Sequence, residues 1–398
     1  MKDWPSVALG DIFEIARGGS PRPIQNFLTE EPDGVNWVMI GDASDSSKYI
    51  THTKKRILKT GVKNSRMVYP GDFLLTNSMS FGHPYIMKTS GCIHDGWLVL
   101  SNKKGVIDQD YFYHLLGSDL IYAEFSRLAS GSTVKNLNIE IVKGIKVSLP
   151  PLEEQRRIAA ILDKADGVRR KRKEAIRLTE ELLKSTFLEM FGYSSDESVS
   201  IGELLDKGVL LLHKDGNHGS NYPRTSEFGI EGIPFLSANC FSDSGEMITD
   251  NVKFLSESKA NKLKIGWLEH SDVLLAHNAT VGRVALYDGR YKQALVGTSL
   301  TIFRPHREYL LPEFLFGVLR SEMFQKQLAH NMEQSTRNQV PITAQRDLKI
   351  KLAPLKKQLK FKELFHHVMN ISKKYESSNQ ESENLFNSLL QKAFRGEL

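Results

Sequence analysis

Apolar residues recur at steps of three and four over two long, otherwise polar stretches of the chain. The first runs from Leu152 to Phe191 and places Ile158, Ile161, Leu162, Ala165, Val168, Ile176, Leu183, Phe187 and Met190 at that spacing. A period near 3.6 puts such residues on one face of a helix. Pro151 precedes the stretch and Glu153 and Glu154 fall in its first turn. Both suit a helix start, where a proline leaves no amide unpaired and acids meet the positive end of the dipole. Gly192 supplies the stop. The second stretch runs from Leu355 to about Phe394, with Leu359, Phe365, Val368, Met369, Tyr375, Leu385, Phe386, Leu389, Leu390 and Phe394 as its apolar set. Its middle, from Glu376 to Asn384, is almost entirely polar, which predicts a thin or wet contact there. Each helix of about 40 residues would be about 60 Å long. Two half-apolar helices of this length predict an antiparallel coiled coil. The basic run Arg169 to Lys173 sits mid-helix, and Arg172 breaks the apolar spacing, which predicts a local gap in the seam.

The two helices begin alike. Ser148 to Ala159 reads SLPPLEEQRRIA and Lys351 to Lys362 reads KLAPLKKQLKFK. The likeness extends along the whole chain. Val7 to Ile12 is echoed by Val199 to Leu204, and Asn36-Trp37-Val38 by Pro234-Phe235-Leu236. Asp72 to Leu75 returns as Asp272 to Leu275, and Gly82 matches Gly282. Ser132-Thr133 and Asn136 match Ser335-Thr336 and Gln339, and Ile145 to Val147 matches Leu348 to Ile350. The offset drifts only from 192 (Val7 to Val199) to 207 (Phe187 to Phe394). Matches in constant order with slow drift define an internal repeat.

The predicted architecture is therefore two mixed α/β (α+β) units related by a pseudo-twofold repeat and separated by two long antiparallel helices. The boundaries are residues 1–149 and 193–351 for the units, and 150–192 and 352–398 for the helices. Strand-like runs fall at Trp37–Ile40, Phe73–Thr76, Trp97–Leu100, Phe235–Ser237, Val273–Ala276 and Ser299–Phe303. Helical stretches fall at Tyr111–Leu128 and Pro312–His330. Strand order is not legible from these runs.

At 398 residues, with 40% hydrophobic and 25% charged residues, the chain has ordinary globular composition. Its net charge of +6 mildly favours a polyanionic partner. Two cysteines, Cys92 and Cys240, make neither a zinc site nor a disulfide framework. Without a signal-like or membrane-length apolar run, a cytoplasmic protein with no membrane contact is expected.

The usual catalytic signatures do not occur. No glycine is followed by lysine, so there is no Walker loop. The only Pro-Pro lies in Leu149-Pro150-Pro151-Leu152, so the Asn/Asp-Pro-Pro-aromatic element of amino-methyltransferases is missing. The histidines lack metal spacing. Glu257-Ser258-Lys259 could belong to a metal nuclease, but that pattern is common. What stands out is loops dense in side chains that can reach base edges or phosphates. The sharpest runs from Lys214 through Asn217, His218 and Asn221. A second holds His277, Asn278 and Arg283, and its counterpart holds Asn77, Ser80 and His83. A third pair holds Thr336, Arg337 and Asn338 against Thr133, Lys135 and Asn136. Ser20 and Arg22 join this set of candidate DNA contacts.

With two units, two helices and no catalytic motif, the chain resembles the specificity subunit of type I restriction–modification enzymes. The resemblance covers essentially its whole length. It rests most on Leu149 to Ile158, the ending Leu389 to Leu398, Gly131-Ser132-Thr133, Asp215 to Gly219 and Gly232 to Leu236. Lys356-Lys357 replaces Glu153-Glu154 in the second copy, changing charge but not layout. The resemblance implies a non-catalytic subunit whose two recognition domains each read one half of a split, asymmetric site on double-stranded DNA. The helices would set the gap, through Ile158, Ile161, Leu162, Leu183, Phe187, Phe365, Met369, Leu389, Leu390 and Phe394. They would also carry two methyltransferase subunits, which hold S-adenosylmethionine. Restriction/motor subunits, using ATP and Mg, would join for cleavage. No cofactor or metal is expected in this chain. A spacer of about 60 Å is close to two turns of B-DNA. The competing expectation is a DNA-binding specificity subunit of another multi-subunit modification or defence complex.

Overall fold

The computed structural model describes residues 4–43, 48–77, 81–102, 105–129, 136–192, 198–333 and 338–398. Among these, the chain folds as two compact units. The first comprises residues 1–173 and 377–398, the second residues 174–376. Each long helix, Leu152–Phe191 and Leu355–Phe394, therefore gives one half to each unit.

The first unit holds two five-stranded sheets. One runs in the order 13–17, 97–102, 73–76, 84–87, 49–50. Its central strand Phe73–Thr76 is buried on both faces and reads as a continuous apolar run. The other runs 28–29, 55–57, 35–38, 91–93, 66–68. A core of Val38, Ile50, Tyr85, Trp97 and Val99 forms one cluster, and the Trp97 indole donates to the carbonyl of Val38 at 3.2 Å. The opposite face of the first sheet packs on helices Gln109–Leu116 and Asp119–Ala129 and on the long helices. There Phe13 meets Phe73 and Phe112 edge-on at 5.8 and 5.3 Å.

The second unit repeats this plan with fewer strands. One sheet runs 210–215, 300–305, 273–276, 284–286, and the other 228–229, 253–255, 233–236, 295–296. Helices Pro312–Arg320 and Glu322–Glu333 take the places of the first unit's pair. In both units a two-stranded antiparallel ribbon closes the base: Ser6–Ala8 with Lys146–Ser148, and Ser198–Ser200 with Lys349–Lys351. The matched strands are those whose apolar runs repeat in the sequence.

The long helices join the core of each unit. In the first unit Ile158, Leu162 and Phe386 are buried, Ile161, Leu389, Leu390 and Phe394 half-buried. The pairing there is antiparallel: Arg157 donates to the Leu398 carbonyl at 2.7 Å, while Arg169 reaches Glu383 at 3.1 Å. In the second unit Leu183 and Phe365 are buried, with Phe187 and Met369 beside them. Phe187 stands 4.9 Å from Phe191 and 5.2 Å from Phe361. The apolar stripe is wider than the buried seam, so Val168, Leu359, Tyr375 and Leu385 lie exposed.

The expected gap at Arg172 is filled. Its guanidinium donates to the carbonyl of Ser378 and, at 2.5 Å, to Ser382 Oγ. Three neighbouring cations are likewise paired: Arg169 and Arg170 each hold Asp166 at 2.6 Å, and Lys173 holds Glu383 at 2.9 Å. The polar middle of the second helix thus meets this basic run through charge and hydroxyl contacts.

Candidate nucleic-acid interface

In each unit the candidate loops gather at one end of the first sheet, and the same backbone bonds bring them together. Beyond strand 73–76 the Gly82 amide donates to the Thr76 carbonyl at 2.8 Å; beyond 273–276 the Gly282 amide donates likewise to Ala276 at 2.9 Å. The next segment is tied in alike. The Leu137 amide donates to Asn77, and the Val340 amide to His277, both at 2.9 Å. A glycine then lets a third loop enter. Gly18 bonds the Trp97 carbonyl and Gly216 the Leu300 carbonyl. A Cβ at Gly18 would stand 2.0 Å from the His94 carbonyl oxygen, and one at Gly216 2.1 Å from that of Gly297. Only glycine permits that approach.

The candidate residues divide by burial. Asn77 and Asn217 are each 2% exposed. Asn77 Nδ2 donates to the Asp95 carbonyl at 2.8 Å, and Asn217 Nδ2 to that of Ile265 at 3.3 Å. Both amides are turned inward to these carbonyls and hold the loops together. His277 is also buried, 3.4 Å from Asp215. Arg283 is spent on its own unit, donating to Asp243 and to the carbonyls of Ala238 and Phe241. Asn338 donates to the Ala279 carbonyl at 3.2 Å but remains exposed, and Asn278 is half-buried beside Gln339.

Arg22, His83 and Asn136 in the first unit and Lys214, His218 and Asn221 in the second are exposed. Ser20 is half-buried and donates to Asp95 at 2.8 Å; Arg22 lies 3.8 Å from the same carboxylate. That hydroxyl bond holds the Asp95 carboxyl below its usual range. Ser80, Thr133, Lys135, Thr336 and Arg337 lie outside the described residues.

Beneath the second unit's loops lies a buried polar network that sequence reading missed. Gln345 Nε2 donates to Thr301 Oγ1 at 3.0 Å and its Oε1 meets His213 Nε2 at 3.2 Å. Thr301 Oγ1 in turn donates to Asp215 at 3.3 Å. Burial pushes the His213 pKa down to about 4, so the ring is neutral near pH 7. Single polar residues within apolar strands carry no pattern that announces such a network. Glu257, weighed as a nuclease carboxylate, opens a short helix capped by Ser256, while Lys259 pairs with Glu227 at 2.8 Å. Among the described residues no group of His, Cys, Asp or Glu could hold a metal ion, and no helix is long and apolar enough to cross a membrane.

Two loop-bearing units built on one plan define a repeated recognition protein. The profile of the type I restriction modification DNA specificity domain matches residues 1–178 and again 200–381, and the chain belongs to that family. It is 24% identical to the MjaVIII specificity subunit of Methanocaldococcus jannaschii over 387 residues, 93% of this chain and 87% of that one. To the EcoKI specificity subunit of Escherichia coli K12 it is 24% identical over 426 residues, covering 99% and 89%. Among solved structures it resembles the type I restriction–modification S subunit from M. genitalium, at 16% identity and a TM-score of 0.56, over 98% of this chain and 96% of that one. A chain from a type I assembly study aligns at 20% identity with a TM-score of 0.53, over 100% and 99%. Specificity subunits of this family are non-catalytic DNA-recognition subunits.

Proposed function

We propose that each unit reads one half of a bipartite, asymmetric DNA site, and that the long helices set the gap between the halves and dock two methyltransferase subunits. The observation that carries this reading is the repeated loop cluster. One backbone plan gathers loops at the same end of both sheets, yet the exposed side chains differ: Arg22, His83 and Asn136 against Lys214, His218 and Asn221. Equal scaffolds with unequal loops suit two different half-sites. Side chains at base edges would give specificity and phosphate contacts much of the affinity. The recognition domains correspond to 1–149 and 193–351 and the spacer helices to 150–192 and 352–398. S-adenosylmethionine belongs to the partner methyltransferases, and ATP and Mg to the motor-nuclease subunits that join for restriction. The setting is the cytoplasm.

The test is a genome-wide methylation map of the host with and without this gene. Loss of one two-part adenine-methylated motif is the expected result. An unchanged map in a host expressing the partner subunits overturns the proposal.

A further inference from the structure

The two units treat one corner of the fold differently. In the first, the fifth strand, Tyr49–Ile50, pairs in parallel with the edge strand Pro84–Met87. The Ile86 amide donates to the Lys48 carbonyl at 3.0 Å. The Lys48 ammonium then enters the unit, 8% exposed, between Asp110 at 2.6 Å and Asp163 at 2.9 Å. It lies 4.8 Å from the centre of the Tyr113 ring, and His114 completes the cluster on Asp163 at 2.7 Å.

The second unit has the corresponding edge strand and helices but, among the described residues, no strand beside that edge. Among the described residues its sheet ends at Val284–Leu286, with no fifth strand. Leu286 pairs with Val273 as Ile86 pairs with Phe73. The flanking bonds, Ala276 to Arg283 and Tyr287 to Asp272, put Leu286 at a non-hydrogen-bonded position, so its amide faces away from the sheet. Among the described residues no backbone carbonyl takes the place of that of Lys48. Glu313 stands where the first unit has Asp110, His366 where it has Asp163, and Phe316 where it has Tyr113; Gln155 and Gln358 set the register. A cavity of about 300 Å³ opens there, lined by Glu246, Leu286, Glu313, Phe316, Lys362 and His366 among others.

The cavity holds buried carboxylate oxygens without hydrogen bonds. Glu313 is 6% exposed. Its Oε1 meets His366 at 2.7 Å and Lys362 at 3.7 Å, but Oε2 is buried without a partner. Glu246 Oε1 is likewise buried without a hydrogen bond. Beside it Glu376 is pushed up to about 8 by burial and by Glu246. Of the cations nearby, Arg290 is held by Asp288 at 2.8 Å and Arg307 by the His270 carbonyl at 3.0 Å. Lys373 lines the cavity as well.

We infer that this corner of the second unit docks an extended segment of a partner polypeptide, which adds to the Val284–Leu286 edge as a parallel strand and places a lysine ammonium on Glu313 Oε2. Strand addition to an open edge supplies main-chain bonds, and the pocket supplies side-chain selection. The first unit shows the occupant in tethered form. A free amine would satisfy the carboxylate but leave the Leu286 amide bare, which is why a peptide is favoured. The inference rests on the repeat and the cavity, not on DNA reading, and can fail without the proposed function failing.

The test uses the full chain without DNA and the capped peptide Ser-Lys-Tyr-Ile-Thr, the sequence of residues 47–51. The expected results are saturable binding by calorimetry and a shifted Leu286 amide signal in ¹⁵N-leucine-labelled protein. Replacing the peptide's lysine by norleucine should weaken binding at least tenfold, as should Glu313→Gln. Because norleucine alters only the peptide, misfolding cannot imitate that loss. No binding, equal binding of the norleucine peptide, or spermidine binding as tightly without moving the Leu286 signal would each overturn the inference.

Discussion

Gln155 and Gln358 make the same three hydrogen bonds in the two units. The Gln155 side-chain carbonyl accepts from the Asp108 amide at 2.7 Å, and its Nε2 donates to the carbonyls of Val106 and Pro150. Gln358 accepts from the Leu311 amide at 2.8 Å and donates to Tyr309 and Ala353. Both side chains are fully buried. Each pins the start of a long helix to the loop before a short one. Replacing either by methionine keeps the volume but strands an amide and two carbonyls. Because a buried polar group left unpaired costs about 1–3 kcal/mol, Gln155→Met and Gln358→Met should each destabilise by about 3 kcal/mol. Urea unfolding followed by limited proteolysis should show the first variant opening unit one and the second opening unit two.

The His213 ring sets a pH dependence for the second unit. In the unfolded chain its pKa is near 6.5 and in the fold about 4. Between these values the unfolded state binds the extra proton, so stability falls as pH drops from about 6.5 toward 4 and is fully retained above that window. The loss is at most about 3 kcal/mol for a group this buried. Comparing wild type with His213→Gln by denaturation at pH 7.5 and 5 isolates it: the variant should lose less stability on acidification. Equal losses would show that other groups govern the acid response.

Lys214 and Asn217 lie three positions apart and should behave oppositely. Lys214 is exposed and Asn217 buried. Lys214→Ala should weaken DNA binding by the assembled methyltransferase, lower the salt slope by about 1 and leave thermal stability unchanged. Asn217→Ala removes the bond to Ile265 and should cost about 1–2 kcal/mol of stability. Fluorescence anisotropy over a salt series, beside thermal unfolding, separates the two effects.

The helices offer a geometric check on the spacer. Four residues are about one helical turn, so inserting four next to Arg172 keeps the apolar face in phase. The methylated motif should gain a wider gap with both halves unchanged, as read by methylation sequencing. An altered half-site would show that the helices do more than separate the units.

The sequence by itself determined the repeat, the two long helices and the likeness to specificity subunits. These are properties of spacing and order, and a period near 3.6 or a motif recurring in register survives without coordinates. The exposed positions His218 and Asn221 were legible too, because a glycine-flanked polar run signals a loop, whereas Lys214 falls within the strand Leu210–Asp215. Tertiary structure alone decided which asparagines were buried. Asn217 and Asn221 look alike in sequence, and what separates them is that the first bonds the Val296 and Ile265 carbonyls, far along the chain. It alone revealed that one unit closes its sheet edge beside Lys48 while the other leaves Glu313 Oε2 without a hydrogen bond, since that difference depends on strands far apart in the chain meeting at one corner. Local patterns record what each residue prefers; whether a polar atom finds a partner is a long-range matter, settled by packing.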